Sequence, residues 1–225
     1  MADRTAPAGQ STPVDEPDGL TALYTTTFED QAGQLFAVGD MDSGAHAMIS
    51  DGRYVVDVDD GEWQVITPGP MPHPRNGVIE ADVTLSGAGY AGLVARSTVD
   101  ADGNDSMYVC LMDDTGWAGC VASHGGEYRD LFFGPIEGYQ AGASQRLRLT
   151  VVEDRIEFVV NNRLIGATQD STVQIGAWGV HAESQSEATT TVSFDNLTIY
   201  TVDGQSIPTA SSANLHSPAS DVRFA

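Results

Sequence analysis

The sequence predicts an all-β sandwich of two packed antiparallel sheets. From residue 21 to about 202 it breaks into short runs rich in β-branched and aromatic residues, separated by turn residues at intervals of about 8 to 14. Within the runs, apolar and polar residues alternate with a period of two. No amphipathic stretch reads as a helix of about ten residues or more.

The runs follow in order at 21–28, 45–49, 54–58, 63–66, 77–85, 91–97, 107–112, 117–122, 131–133, 145–152, 156–160, 173–182 and 189–201. In 78–85, Ile79, Ala81, Val83 and Leu85 share one face, and Glu80, Asp82 and Thr84 the other. In 146–151, Leu147, Leu149 and Val151 oppose Arg146, Arg148 and Thr150. Asp51-Gly52, Asp113 to Gly116, Glu153-Asp154 and Asn161-Asn162 read as hairpin turns, because Asn, Asp and Gly tolerate the backbone that tight hairpins need. Residues 1–20 are polar, carry Pro7, Pro13 and Pro17, and read as a disordered linker. Residues 203–225 return to Ser, Ala, Pro and Thr and read as a flexible tail, whose end could add a strand to an exposed edge and support self-association.

Charge narrows the partners. The 225 residues hold 32 acids and 10 bases, every base is arginine, and the formal net charge is −22. Phosphate backbones need a basic footprint, so nucleic acid is excluded, and anionic membrane surfaces would repel the chain. No apolar run approaches the roughly 18 to 20 residues of a membrane-spanning helix. The acid excess suits either a high-salt surface or an ordinary secreted domain.

Cys110 and Cys120 flank the turn Asp113 to Gly116. In a hairpin centred there, residues whose numbers sum to about 230 face one another, which sets the two cysteines opposite and close enough to bridge. The expected disulfide implies an oxidising, extracellular or cell-surface setting. The start of the sequence carries no apolar leader, so that location implies a leader or upstream segment outside this chain.

A family pattern runs through the same elements. Phe28-Glu29-Asp30 is followed by Asp51 to Val56, Val78 to Val83, Gly92 to Arg96, Tyr108-Val109, Phe158 to Ile165, Gly176 to Val180 and Val192 to Ile199. This order resembles the concanavalin A-like lectin and glucanase jelly rolls, in particular the 3-keto-disaccharide hydrolase-type and laminin-G-like domains of bacterial surface proteins. The resemblance covers about residues 21–202 and implies a jelly-roll sandwich that recognises carbohydrate. Relatives of this kind include glycan-binding modules, hydrolases and surface ectodomains, so the expectation is a non-catalytic extracellular glycan-recognition domain. The alternatives are a glycoside hydrolase acting on a disaccharide or glucan, and a structural ectodomain or assembly subunit.

Catalysis has little to stand on. Glu80 and Asp82 are the only plausible pair of acids, and their spacing resembles the catalytic strand of family-16 glycoside hydrolases. Thr84 and Leu85 stand where the third carboxylate belongs. The histidines are dispersed, without metal-ligand spacing.

Sugar recognition needs rings to stack on apolar sugar faces and polar side chains for the hydroxyls. Strand candidates are Tyr90, Arg96, Tyr108, Trp178 and His181, with Trp63, Trp117, His124 and Tyr128 from loops. Arg96, mid-strand, is expected to pair with Glu80 or Asp82. The acidic run Asp100 to Asp105 fails the EF-hand template and reads as a solvated hairpin loop. The resemblance also implies a structural Ca²⁺ where the first and last strands meet, with Glu29, Asp30 and Asp195 as ligands.

Overall fold

The structure, a computed structural model, describes residues 19–29, 35–41, 43–59, 61–185 and 189–202. The expected linker and tail fall almost wholly outside these residues. Every regular element among the described residues is a strand: β1 (Leu20–Thr26), β2 (Gly39–Asp40), β3 (Ala45–Ser50), β4 (Arg53–Val58), β5 (Trp63–Ile66), β6 (Gly77–Ser86), β7 (Gly89–Val99), β8 (Asp105–Asp113), β9 (Trp117–His124), β10 (Glu127–Pro135), β11 (Gln145–Val152), β12 (Arg155–Val160), β13 (Arg163–Gln169), β14 (Ala177–Ser184) and β15 (Thr190–Val202).

They form two antiparallel sheets. One runs β13-β12-β11-β6-β15-β4-β3-β2, with β1 also paired to β15; the other runs β10-β9-β8-β7-β14-β5. The fold is a concanavalin A-like jelly-roll sandwich, as the alternation and the resemblance predicted. Ile79, Ala81, Val83 and Leu85 all point into the core, where they meet Leu147, Leu149 and Val151 of β11 and Leu93, Ala95, Trp178 and Val180 of the facing sheet. Burying such side chains, at about 25 cal/mol per Å² of apolar surface, holds the layers together.

Turn chemistry sets the register. Ser50 faces Arg53 and Val160 faces Arg163, so Asp51-Gly52 and Asn161-Asn162 are two-residue loops. All four residues have positive φ, as the twist of a tight hairpin requires. Met107 faces Ser123, Met112 faces Ala118 and Cys110 faces Cys120, the register the cysteine spacing predicted. The two cysteines form a disulfide with Cα atoms 4.0 Å apart, inside the core.

Two elements were not expected from the sequence. β2 is too short to leave a pattern. β13 is an edge strand with mostly exposed side chains, so no apolar face marks it. Its Gly166 makes room for Phe132 of β10, which closes one side of the sandwich.

The loop at Asp100 to Asn104 is a solvated hairpin, as expected. Asp100 accepts hydrogen bonds from the amides of Asp102 and Asn104 and from the Asn104 side chain. These bonds hold its carboxyl below the usual aspartate range.

Candidate functional site

The outward face of the six-stranded sheet is the candidate site, and alternation determines who stands there. In β7, Leu93 and Ala95 enter the core, so Tyr90, Gly92 and Val94 face out. Register then adds Met107, Val109, Leu111 and Asp113 on β8 and Gly119, Val121 and Ser123 on β9. On the other side it adds Gly179, His181 and Glu183 on β14, with Trp63 and Val65 on β5.

An outward face is normally wet, but this one is largely covered by its own side chains. Val94, Met107, Val109 and Leu111 form an apolar cluster separate from the core and only 0–3 % exposed. Trp63, Val65 and Tyr90 stand half-buried against them. Glycines 92 and 119 keep the floor low, and a Cβ at Gly119 would collide with Phe133, which lies over it. Burial, and behind it the adjacent Asp105, raises the Tyr128 phenol on β10. The face has an apolar floor overlain by its own rings, a trough filled by side chains.

Two polar side chains are sunk into it. His181 is 2 % exposed and Glu183 5 %. They stand two apart on β14, on the same face, with His181 Nε2 3.2 Å from Glu183 Oε2. The carboxylate lies against the Nε2 edge of the ring, and Nδ1 points the other way. That Nδ1 is sealed from solvent and has no hydrogen-bond partner. The Trp63 ring leans over the imidazole, with centroids 6.0 Å apart. At the far side, Tyr128 donates to Asp105 Oδ2 at 2.9 Å.

Of the six ligand candidates, Tyr90, Trp117 and His181 stand on this face. Trp178, Tyr108 and Arg96 do not. Trp178 is a core residue whose indole donates to the Pro74 carbonyl at 2.8 Å and whose amide donates to His73 Nδ1 at 3.2 Å. Burial lowers the His73 pKa to about 4. Tyr108 donates to Asp170 Oδ1 at 2.7 Å, and burial raises its phenol to about 12. Burial pushes the Asp170 carboxyl up, but hydrogen bonds from Tyr108 and Thr172 and the ion pair with Arg129 outweigh it, leaving it below the usual range.

The expected pairing of Arg96 with Glu80 or Asp82 is corrected. Arg96 sits in a β-bulge with φ 57°, which turns its side chain out of the alternation and into the end of the sandwich. There it donates to the carbonyls of Arg75 (3.0 Å), Val173 (2.8 Å) and Glu153 (2.9 Å) and to Asn76 Oδ1 (3.2 Å). Gly176 is needed beside it, because a Cβ there would lie 2.3 Å from the Arg96 backbone (and within reach of Ser97). Glu80 and Asp82 instead meet Arg146, at 2.7 and 3.4 Å, on the outward face of the nine-stranded sheet. The trough is on the other sheet.

Of the calcium candidates, Asp30 lies outside the described residues. Asp195 Oδ1 accepts from the Asn196 amide, and Glu29 is packed beside Gly52. Among the described residues, no three His, Cys, Asp or Glu side chains gather closely enough to hold a metal ion. Also among them, no helix is long and apolar enough to cross a membrane.

Sequence reasoning missed Glu183 and the floor residues Met107, Val109 and Leu111. The signal for Glu183 was present: between Val180 and Ala182, which face the core, His181 and Glu183 must share the opposite side.

No protein-family model matches the chain, and no curated protein matches it in sequence. Solved structures match its fold. The carbohydrate-binding module CBM66 from Bacillus subtilis superposes with TM-score 0.53 at 18% identity, over 80% of this chain and 94% of that one. The catalytic domain of an endo-1,3-β-glucanase (laminarinase) from Thermotoga petrophila gives TM-score 0.57 at 13% identity, over 82% and 99%. The carbohydrate recognition domain of Emp46p in its potassium-bound form gives 0.56 at 13%, over 80% and 95%. These likenesses establish the fold.

Proposed function

We propose that this is an extracellular, non-catalytic carbohydrate-binding domain whose ligand lies in the trough of the six-stranded sheet. The observation that carries the reading is the second outward face itself: the half-buried rings of Trp63 and Tyr90 stand over a buried apolar floor, beside a buried polar pair. Sugars present apolar faces and rows of hydroxyls, and such a surface complements both. Two of the three solved structures described above are named as carbohydrate-binding or carbohydrate-recognition domains, which supports it. The disulfide supports an oxidising setting.

The hydrolase reading has less behind it. Glu80 and Asp82 share the Arg146 guanidinium and face away from the trough, so neither is placed to act on a ligand held there.

The test is calorimetric titration of the protein with a panel of oligosaccharides, repeated on Trp63→Ala. Saturable binding to at least one sugar, weakened about tenfold or more by loss of that ring, is expected. A flat isotherm for every sugar, or binding indifferent to Trp63 and Tyr90, would overturn the assignment.

A further inference from the structure

One row of residues crosses the six-stranded sheet from edge strand to edge strand. Trp63 on β5 faces Glu183 on β14, Glu183 faces Tyr90 on β7, and Tyr90 faces Asp113 on β8. Met112 faces Ala118, so the next step along that hairpin sets Asp113 against Trp117, whose amide donates to Asp113 Oδ1 at 2.8 Å. Trp117 in turn faces Pro135 on β10. Rings therefore stand on every second strand of the row, β5, β7 and β9, with carboxylates on the strands between.

The rings are not equally explained by packing. Trp63, Tyr90 and Trp117 are all half-buried, so each lies against the sheet and still meets solvent. Trp63 and Tyr90 cover the apolar floor, whereas Trp117 belongs to neither apolar cluster. Phe133, two residues before Pro135, lies over Gly119 on the same face and is 44 % exposed. Exposed rings thus continue past the part of the floor that needs covering.

Spacing then selects a ligand. Neighbouring strands are about 5 Å apart, so successive rings of the row are about 10 Å apart. A pyranose linked equatorially at carbons 1 and 4 advances its chain by about 5 Å, one strand spacing, and each residue is turned over relative to the last. The same sugar face therefore recurs at every second residue, in step with the rings. Chains with 1,3 links curve and lose that step.

We propose that the row is a platform for an extended, equatorially 1,4-linked glycan, which lies across the strands with alternate residues stacked on Trp63, Tyr90 and Trp117. This rests on the face being the sugar site, and it names the shape of chain that the site selects. Each stack sets an apolar sugar face on a ring. The residue between Tyr90 and Trp117 lies over Asp113, whose half-buried carboxylate accepts from its hydroxyls. About five sugar residues cover the four strand spacings from β5 to β9.

The experiment titrates the whole chain calorimetrically with β-1,4-linked glucose oligomers of two to six residues and with the β-1,3-linked hexamer. Affinity is expected to climb about tenfold or more from dimer to pentamer and then level off, as two further stacks are gained. The β-1,4 hexamer should bind about tenfold or more tightly than its β-1,3 isomer. Trp117→Ala leaves a pair of rings two strands apart, so the levelling-off should move from five residues to three. Trp63→Ala shortens the row equally from its other end, and stands in should Trp117→Ala not fold. Affinity that stops rising at the dimer, equal affinity for the two hexamers, or a length dependence that neither substitution shortens overturns the inference and leaves the sugar site standing. So does silence towards the β-1,4 series when another sugar of the panel binds. Silence towards every sugar overturns the sugar site itself.

Discussion

Arg96 and His181 lie on neighbouring strands of one sheet, both sealed from solvent, and they differ in what surrounds them. Arg96 is met by four acceptors at 2.8–3.2 Å. His181 is left with one nitrogen unpaired. A buried polar group with every partner in place ties the fold together: Arg96 joins the segment before β6, the β11–β12 turn and the loop before β14. A buried polar group with a partner missing carries a cost that its own contacts do not recover.

The sharpest way to break the contrast is to remove Arg96. Arg96→Met takes the guanidinium from three carbonyls at once and leaves Asn76 Oδ1 with the Glu153 amide alone, so a loss of about 3–5 kcal/mol is expected in urea unfolding. Lysine should rescue little, since a single ammonium cannot reproduce the planar fork. A loss below about 1 kcal/mol would mean that water replaces the guanidinium readily and that the bulge does not depend on it.

The opposite outcome is expected at the trough. His181→Leu/Glu183→Leu replaces a poorly satisfied polar pair with apolar volume, so stability should hold or rise by about 1–3 kcal/mol, while sugar binding is lost. Destabilisation on the scale of Arg96→Met would show that the pair is structural and that the contrast is false.

These two sites also show where sequence reasoning reached and where it stopped. Sheet register was legible: alternation placed Ile79, Ala81, Val83 and Leu85 in the core, and turn chemistry put Cys110 opposite Cys120. Alternation likewise put Arg96 on the outward face, and there it misled. The bulge after Ala95 adds a residue to the strand and re-aims the side chain, and nothing local in the sequence announces it beyond Gly176, which is far along the chain. Trp178 and Tyr108 were drawn into the candidate site because rings serve cores and ligands equally. Deciding between those roles takes the facing sheet, which the sequence does not display. Glu183 was missed for the converse reason, since a lone acid in an acid-rich chain carries no signal until its strand neighbours are known.

A smaller effect separates the half-buried His73 from the buried His181. His73, unlike His181, has its Nδ1 occupied by the Trp178 amide, and burial lowers its pKa from 6.5 to about 4. Between those values the unfolded chain binds a proton that the folded one refuses. The His73 contribution to stability is therefore complete above pH 6.5 and drains away as the pH falls towards 4. Chemical denaturation from pH 7 to pH 4 should show this slope, and His73→Gln should flatten it. An unchanged slope would assign acid sensitivity to carboxylates such as Asp170, which acts lower, below the ordinary aspartate range.

The smallest effect is expected at Arg146, and it tests whether burial rather than pairing sets the scale. Arg146 meets Glu80, Asp82 and the Asn196 carbonyl, as many partners as a structural arginine could want, but its side chain is one-third exposed. Water competes for each of these bonds and salt screens the charges, so Arg146→Ala should cost less than about 1 kcal/mol, and less still in molar salt. Sugar binding should be unmoved, because the trough opens on the other sheet. A double-mutant cycle of Arg146→Ala with Glu80→Gln isolates the pair from the general effect of lowering the negative charge. A coupling energy comparable to the loss at Arg96 would mean that the number of partners, not their isolation from water, decides which arginine holds this sandwich together.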